Sequence, residues 1–289
     1  MSTAAPQTYE SLIDELYNIP KGRYNRHRSD FVYRGVDVSS WTLDTSLQRL
    51  GSHYEGVEEP LLRSFAKYLT DDILSSGLLY KLAFAQHHGL PTRVLDWSTS
   101  PKVALHFAAA DETRYDDDGV IWCVDIPKIR ETLPRKLLKK LNDKRAFLFS
   151  VEMLSEITDL SQFDKLKGKR GFALFFEPPS LDGRIVNQGA VLSIMPGARL
   201  DLKIFLEAHP DSFKKIIVRK NLKWEIRDKL DQDGVNERIL FPGVDGTARW
   251  LKRYYGLGPN KQPANLTPSS PSHPTAPPGF TGPMTGTGP

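Results

Sequence analysis

The chain has 289 residues and a single cysteine, Cys123, so no disulfide can form within it. That excludes a scaffold stapled by disulfides and favours a reducing compartment. No apolar run approaches the ~20 residues a helix needs to cross a bilayer. The first 20 residues hold no apolar stretch of signal-peptide type. The expectation is a cytoplasmic protein with no membrane partner. Several chemical signatures are missing too: there is no GxxxxGK[ST], GxGxxG, HExxH or GxSxG, and no CxxC pair. A P-loop, a Rossmann fingerprint and a cysteine-held zinc are therefore not expected.

What is present is enough for a sizeable core: 39% hydrophobic residues, 10% aromatics and 26% charged residues. The net charge of +4 permits an anionic partner without demanding one. The length suits one large domain or two small ones, and no internal linker or repeat divides it. From Gly258 onward the text is Pro, Gly, Ser and Thr with almost no large apolar residue. Such a segment buries too little surface to offset its ordering entropy. The expected organisation is one domain over 8–257 and a disordered tail over 258–289, with residues 1–7 loose.

The hydrophobic spacing predicts helices over 10–17, 58–74 and 78–88, the last closed by Gly89. Pro101 opens a helix over 101–110. Strands are expected at 31–36, 120–124, 173–176, 184–187, 190–194, 202–206, 214–218 and 237–241. Helices are expected at 221–231 and 247–255. Helices come first and strands later, without regular alternation, which indicates α+β.

Two segments could carry chemistry. Residues 86–100 turn sharply at Gly89, extend through Pro91, then bring Arg93, Asp96 and Trp97 close to Ser98, Thr99 and Ser100 before a helix. Two readings stand. Ser100 caps the helix, Asp96 pairs with Arg93 and Trp97 packs; or the segment is one wall of a ligand cleft whose hydroxyls and backbone donors suit an anion. His87 and His88 could serve with Asp96 as acid and base. No metal is expected there, because adjacent helical residues point about 100° apart. The second segment is Tyr33-Arg34-Gly35. A guanidinium in an apolar strand needs a partner, either an acid such as Asp96 or a phosphate, and Gly35 allows a ligand or another backbone to approach. Cys123, in an apolar run, is expected to be buried and inert.

These residues resemble the FRG family, named for its [FY]-R-G motif. Gln86-His87-His88-Gly89-Leu90-Pro91-Thr92-Arg93, Asp96-Trp97-Ser98-Thr99-Ser100-Pro101 and Ala104-Leu105-His106-Phe107-Ala108 follow its central signature. Ser46-Leu47-Gln48-Arg49, Gln188-Gly189 and Leu240-Phe241-Pro242-Gly243-Val244-Asp245-Gly246 resemble further segments, with Gly243 where the family usually has Asp. The likeness spans about 29–257.

A second, weaker resemblance is to arginine-serine-glutamate ADP-ribosyltransferases. Residues 31–36 are similar to their first strand, Ser98-Thr99-Ser100 to their S-T-S motif, and Glu237 to their glutamate, although Val235 stands where those enzymes usually carry Glu or Gln. The resemblance implies N-terminal helices on a mixed, split β-sheet and an NAD-dependent transferase acting on a macromolecule, as a toxin or antiviral defence effector. In that reading Arg34 holds NAD phosphate or ribose, Ser98 organises the site and Glu237 is the catalytic carboxylate. Tyr33, Gly35, His87, His88, Asp96, Trp97, Thr99 and Ser100 shape the NAD cleft, and Tyr33 or Trp97 could stack on nicotinamide. Basic runs at Lys136, Lys139, Lys140, Lys144 and Arg145, and at Lys214, Lys215, Arg219, Lys220 and Lys223, could dock a nucleic-acid acceptor, or form solvated faces. The alternatives are a non-catalytic nucleotide- or nucleic-acid-binding module, or a subunit held or recruited by a regulatory protein partner.

Overall fold

The apolar run at 120–124 becomes the inner part of a sheet buried on both faces. In the computed structural model, which describes residues 2–19, 25–168, 171–256 and 258, the strands are β1 (Ser2–Ala4), β2 (Phe31–Val36), β3 (Leu95–Ser98), β4 (Gly119–Asp125), β5 (Phe149–Ser150), β6 (Leu174–Glu177), β7 (Ala190–Ile194) and β8 (Phe213–Val218). They lie side by side in the order β1-β8-β4-β2-β3-β7-β6-β5. β1 runs parallel to β8 and β5 parallel to β6, while the other neighbours are antiparallel. With helices on both faces of this mixed sheet, the fold is α+β.

The two-residue period of β4 sorts its side chains between two cores. Val120, Trp122 and Val124 pack with Val32, Trp97, Phe175 and Phe213. Ile121 and Cys123 face the other way, against Leu12, Leu105, Ile216 and Ile226. A third core covers β6 and β7, where Leu174, Phe176, Leu192 and Ile194 meet Leu78, Leu82, Leu137 and Phe163. Cys123 is fully buried, and that burial pushes its thiol up to about 12.

The sheet is split near its middle. β2 and β4 pair at six positions, from Phe31↔Asp125 to Val36↔Val120. β3 and β7 pair at four. β2 and β3 share one pair, Tyr33↔Ser98. Against β2 lies the helix Pro101–Phe107, capped by Ser100, whose side chain accepts from the Val103 N–H. A Cβ on Gly35 would stand 1.8 Å from the Ala104 carbonyl oxygen. This helix's backbone therefore occupies the Cβ side of Gly35.

Several elements differ from expectation. The segments at 184–187, 202–206 and 237–241 are not strands but short helices, Gly183–Asn187, Leu202–Glu207 and Glu237–Leu240. Each follows a capping side chain: Asp182 accepts from Arg184 and Ile185, Asp201 from Ile204, and Asn236 from Ile239. The helix expected at 58–74 is two, Tyr54–Ala66 and Asp71–Leu74, parted by extended backbone at Thr70. Residues 2–4 are not loose, since they pair with Lys214, Lys215 and Ile216. The first basic run lies on an amphipathic helix, Arg135–Asp143, which buries Leu137 and Leu141. The tail expected over 258–289 falls, Gly258 apart, outside the described residues. The chain up to Gly256 forms one compact unit. No helix among the described residues is long and apolar enough to cross a membrane.

Candidate functional site

A cleft of about 790 Å³ opens where β2 and β3 part. That volume is in the range of small-molecule sites. One wall is β2 from Tyr33 to Val36, with Asp37; the other is Asp96, Trp97 and Ser98 of β3. Trp41, Asp44 and Arg49 enter from the segment after β2. Phe107 enters from the helix packed on β2, and Arg184 and Gln188 from the helix Gly183–Asn187 and its C-cap before β7.

Arg34 is the unusual member. Its Nη1 donates to the Asp96 backbone carbonyl at 2.6 Å, so it bridges the split from one strand to the other. Its partner is that carbonyl and not the Asp96 carboxylate, which instead accepts from Gln86 Nε2 at 2.9 Å. The Arg34 Nε is buried with no hydrogen-bond partner. Such a donor costs about 1–3 kcal/mol. Burial lowers the pKa of this guanidinium, and the nearby Asp96 only partly offsets it. A charged, incompletely satisfied donor set on a cleft wall suits an anionic acceptor.

The hydroxyl cluster is structural in its contacts. Ser98 Oγ donates to the Gln188 carbonyl at 2.6 Å and accepts from the Ser100 N–H at 2.9 Å. The Thr99 N–H donates to the Gly189 carbonyl at 2.9 Å. Gly189 itself has φ +52, and a Cβ there would meet Thr99 Oγ1 at 2.7 Å. Ser98 therefore fixes the turn that aims Arg184 and Gln188 into the cleft.

The rings expected to stack on a ligand are engaged elsewhere. Tyr33 is 1% exposed, with its hydroxyl 2.7 Å from Ser29 Oγ. Trp97 is 3% exposed; its indole N–H donates to Ser193 at 2.8 Å and its ring packs on Phe175. His87 and His88, by contrast, do not line the cleft. His87 Nε2 pairs with Asp182 at 2.9 Å, and His88 lies against Phe84, 4.5 Å between ring centres. Arg93 does not pair with Asp96: it grips both Glu58 oxygens and meets Asp164 at 2.5 Å.

Glu237 is absent from the cleft lining and begins the helix Glu237–Leu240. Its Oε1 accepts from Arg227 at 2.7 Å and from Arg253 at 2.9 Å. Arg227 also meets His106 Nδ1 at 2.5 Å, and Arg253 also holds Asp231 at 2.7 Å. Burial would raise the Glu237 carboxyl, but the hydrogen bonds and charges of Arg253 and Arg227 hold it down at about 2. The same surroundings keep His106 neutral, as burial and then the Arg227 charge push its pKa down to about 3. A carboxylate held by two arginines is positioned for stability and not for a reacting atom in the cleft.

The two basic runs divide. Lys139 and Lys140 pair with Asp143 and Glu156 on an otherwise open helix face. The second run is not a stripe. Lys214 binds Glu15, Arg219 binds Asp118, and Lys223 is fully buried on the carbonyls of Asp37 and Arg114. Among the described residues no cluster of three metal-ligating side chains occurs. Trp41, Asp37 and Asp44, all on the cleft, went unmarked in the sequence because none sits in a motif or a periodic run, and Arg184 marked only the start of an expected strand.

A family model, the FRG domain, matches residues 29–117. That segment contains β2, β3 and the helix packed on them, and so much of the cleft wall. Residues 29–117 thus match the FRG domain, the family that the Tyr33-Arg34-Gly35 and Gln86-to-Pro101 motifs resemble. No curated protein and no solved structure matches the chain.

Proposed function

We propose that the cleft binds an anionic nucleotide, with NAD the ligand that the transferase resemblance suggests. The observation that carries this reading is Arg34, a half-buried cation whose Nε lacks a hydrogen-bond partner, on the wall of a cleft of ligand size. Arg49 and Arg184 add positive charge to the lining, and Arg184 stands with its guanidinium 5.2 Å from the Phe241 ring centre. Phosphate oxygens suit such a set.

The test is calorimetric titration of the full chain with NAD and ADP, beside Arg34→Ala and Arg34→Lys. Binding to the native chain should weaken about tenfold or more in Arg34→Ala, since a hydrogen bond to a charged group is worth about 1.5–3 kcal/mol. No binding to the folded native chain, or equal binding by Arg34→Ala, overturns the reading.

A second reading is ADP-ribosyl transfer to a nucleic acid or protein, as a toxin or defence effector. It is supported by Arg34 and Ser98 standing on facing walls of one cleft. Its third member, Glu237, faces away into an arginine network, so the acids on the cleft are Asp37, Asp44 and Asp96. Release of nicotinamide from NAD and label transfer into a lysate, lost in Arg34→Ala, would favour transfer over simple binding.

A further inference from the structure

We propose that Trp41 is a stacking platform, and that the ligand of this cleft therefore carries a planar base as well as a phosphate. The inference rests on the nucleotide reading above and adds to it the part of the ligand that Arg34 cannot recognise.

Trp41 is an indole on the cleft wall with 47% of its surface exposed. Tyr33 and Trp97, the other large rings of the motif segments, are buried and hydrogen-bonded on their own cores. Phe107 is half-covered, with Phe241 at 6.2 Å and His106 at 5.2 Å edge-on. Trp41 belongs to none of the three cores. Exposed apolar surface of this size on a concave wall marks contact with something else.

The segment that carries it is held in place. The Asp37 carboxylate accepts from the N–H groups of Ala110 and Asp111 at 2.9 and 3.0 Å. The Asp37 carbonyl accepts from Lys223 Nζ at 2.8 Å, a lysine with no exposed surface. The Ser39 N–H donates to the Asp118 carbonyl at 2.6 Å, and the Trp41 N–H to the Val38 carbonyl at 3.0 Å. The Arg114 guanidinium lies 5.6 Å from the Trp41 ring centre, a cation–π contact that fixes one face of the indole. Nearly half of the Trp41 surface remains exposed on the cleft wall. A surface loop with no recognition role has no need of a buried lysine and a half-buried aspartate to set its course; a platform does, because pre-ordering lowers the entropy lost on binding.

The base can be the adenine or the pyridine of a dinucleotide, so the test separates them. ADP, nicotinamide mononucleotide and ribose 5-phosphate are titrated into the full-length native chain, Trp41→Ala, Trp41→Phe and Arg34→Ala. Loss of stacking should weaken one base-bearing ligand about 5- to 150-fold in Trp41→Ala. Trp41→Phe should restore most of it, and ribose 5-phosphate should be unaffected. The ligand that weakens names the ring. If ligands bind and Arg34→Ala loses them while Trp41→Ala holds both bases within twofold, the platform is wrong and the phosphate site stands. If Trp41→Ala weakens ribose 5-phosphate equally, its role is in shaping the loop and the proposal fails. If nothing binds the native chain, the nucleotide reading fails and takes the platform with it.

Discussion

Glu237→Gln separates a structural carboxylate from a catalytic one by a quantity that activity assays do not report. The substitution keeps the shape of the side chain and removes its charge. Arg227, with no exposed surface, then keeps only neutral His106 and an amide, while Arg253 retains Asp231. Holding a carboxyl at about 2 instead of 4.5 corresponds to about 3 kcal/mol at 1.36 kcal/mol per pH unit. Breaking a buried pair by removing one partner costs about 3–5 kcal/mol, which agrees. The expected loss is therefore about 3 kcal/mol at pH 7, or roughly 6–12 °C in Tm for a domain of this size. The sign with pH follows from the depressed value. The unfolded chain binds the proton more readily than the folded one between 4.5 and about 2, so the native contribution is complete above 4.5 and fades as pH falls through that window. Urea unfolding followed by tryptophan fluorescence at pH 7 and pH 3.5 should show a gap between native and variant that narrows in acid. Nucleotide affinity of the folded variant should be unchanged. A variant as stable as the native chain at pH 7, yet unable to release nicotinamide, would refute this reasoning and return Glu237 to the catalytic role.

Gly35→Ala should fold poorly or melt far below the native chain, because its Cβ would meet backbone at 1.8 Å and not a movable side chain; soluble yield and a thermal melt check this. Arg93→Ala leaves Glu58, 3% exposed, without its bidentate partner, and should cost about 3–5 kcal/mol in denaturant unfolding, while Arg93→Lys should recover only part of it. His106, with its pKa lowered from 6.5 to about 3, should give NMR ring signals that stay in the neutral form down to about pH 4. Its contribution to stability is complete above 6.5 and diminishes as pH falls toward 3, so signals that titrate near 6.5 would contradict the buried arrangement.

The parts of the fold legible in the sequence are those whose signal is local. Ser100 and Pro101 announce a helix start, Gly89 with φ +82 closes the helix before it, and residues 120–124 are apolar on both faces. The short segments at 184–187, 202–206 and 237–241 were illegible by periodicity, since four or five apolar-rich residues fit a strand or one helical turn. The capping Asp182, Asp201 and Asn236 carried the decision. In the site, Arg34, Asp96 and Ser98 share a cleft because they stand on neighbouring strands within one motif-rich region. The surroundings of Glu237 could not be read the same way. Its two arginines come from the helices Lys223–Gln232 and Val244–Tyr254, and only tertiary packing brings them to it. Trp41 stood in a polar stretch without period, so nothing before the fold marked it.

The single pair Tyr33↔Ser98 has a mechanical consequence. At this seam the backbone ladder supplies one rung, and Arg34 on Asp96 adds another. Any ligand touching both β2 and the Arg184–Gln188 turn becomes a rivet across the weakest line of the sheet. Its occupancy would then be felt as amide-exchange protection in both wings, well beyond the atoms it touches.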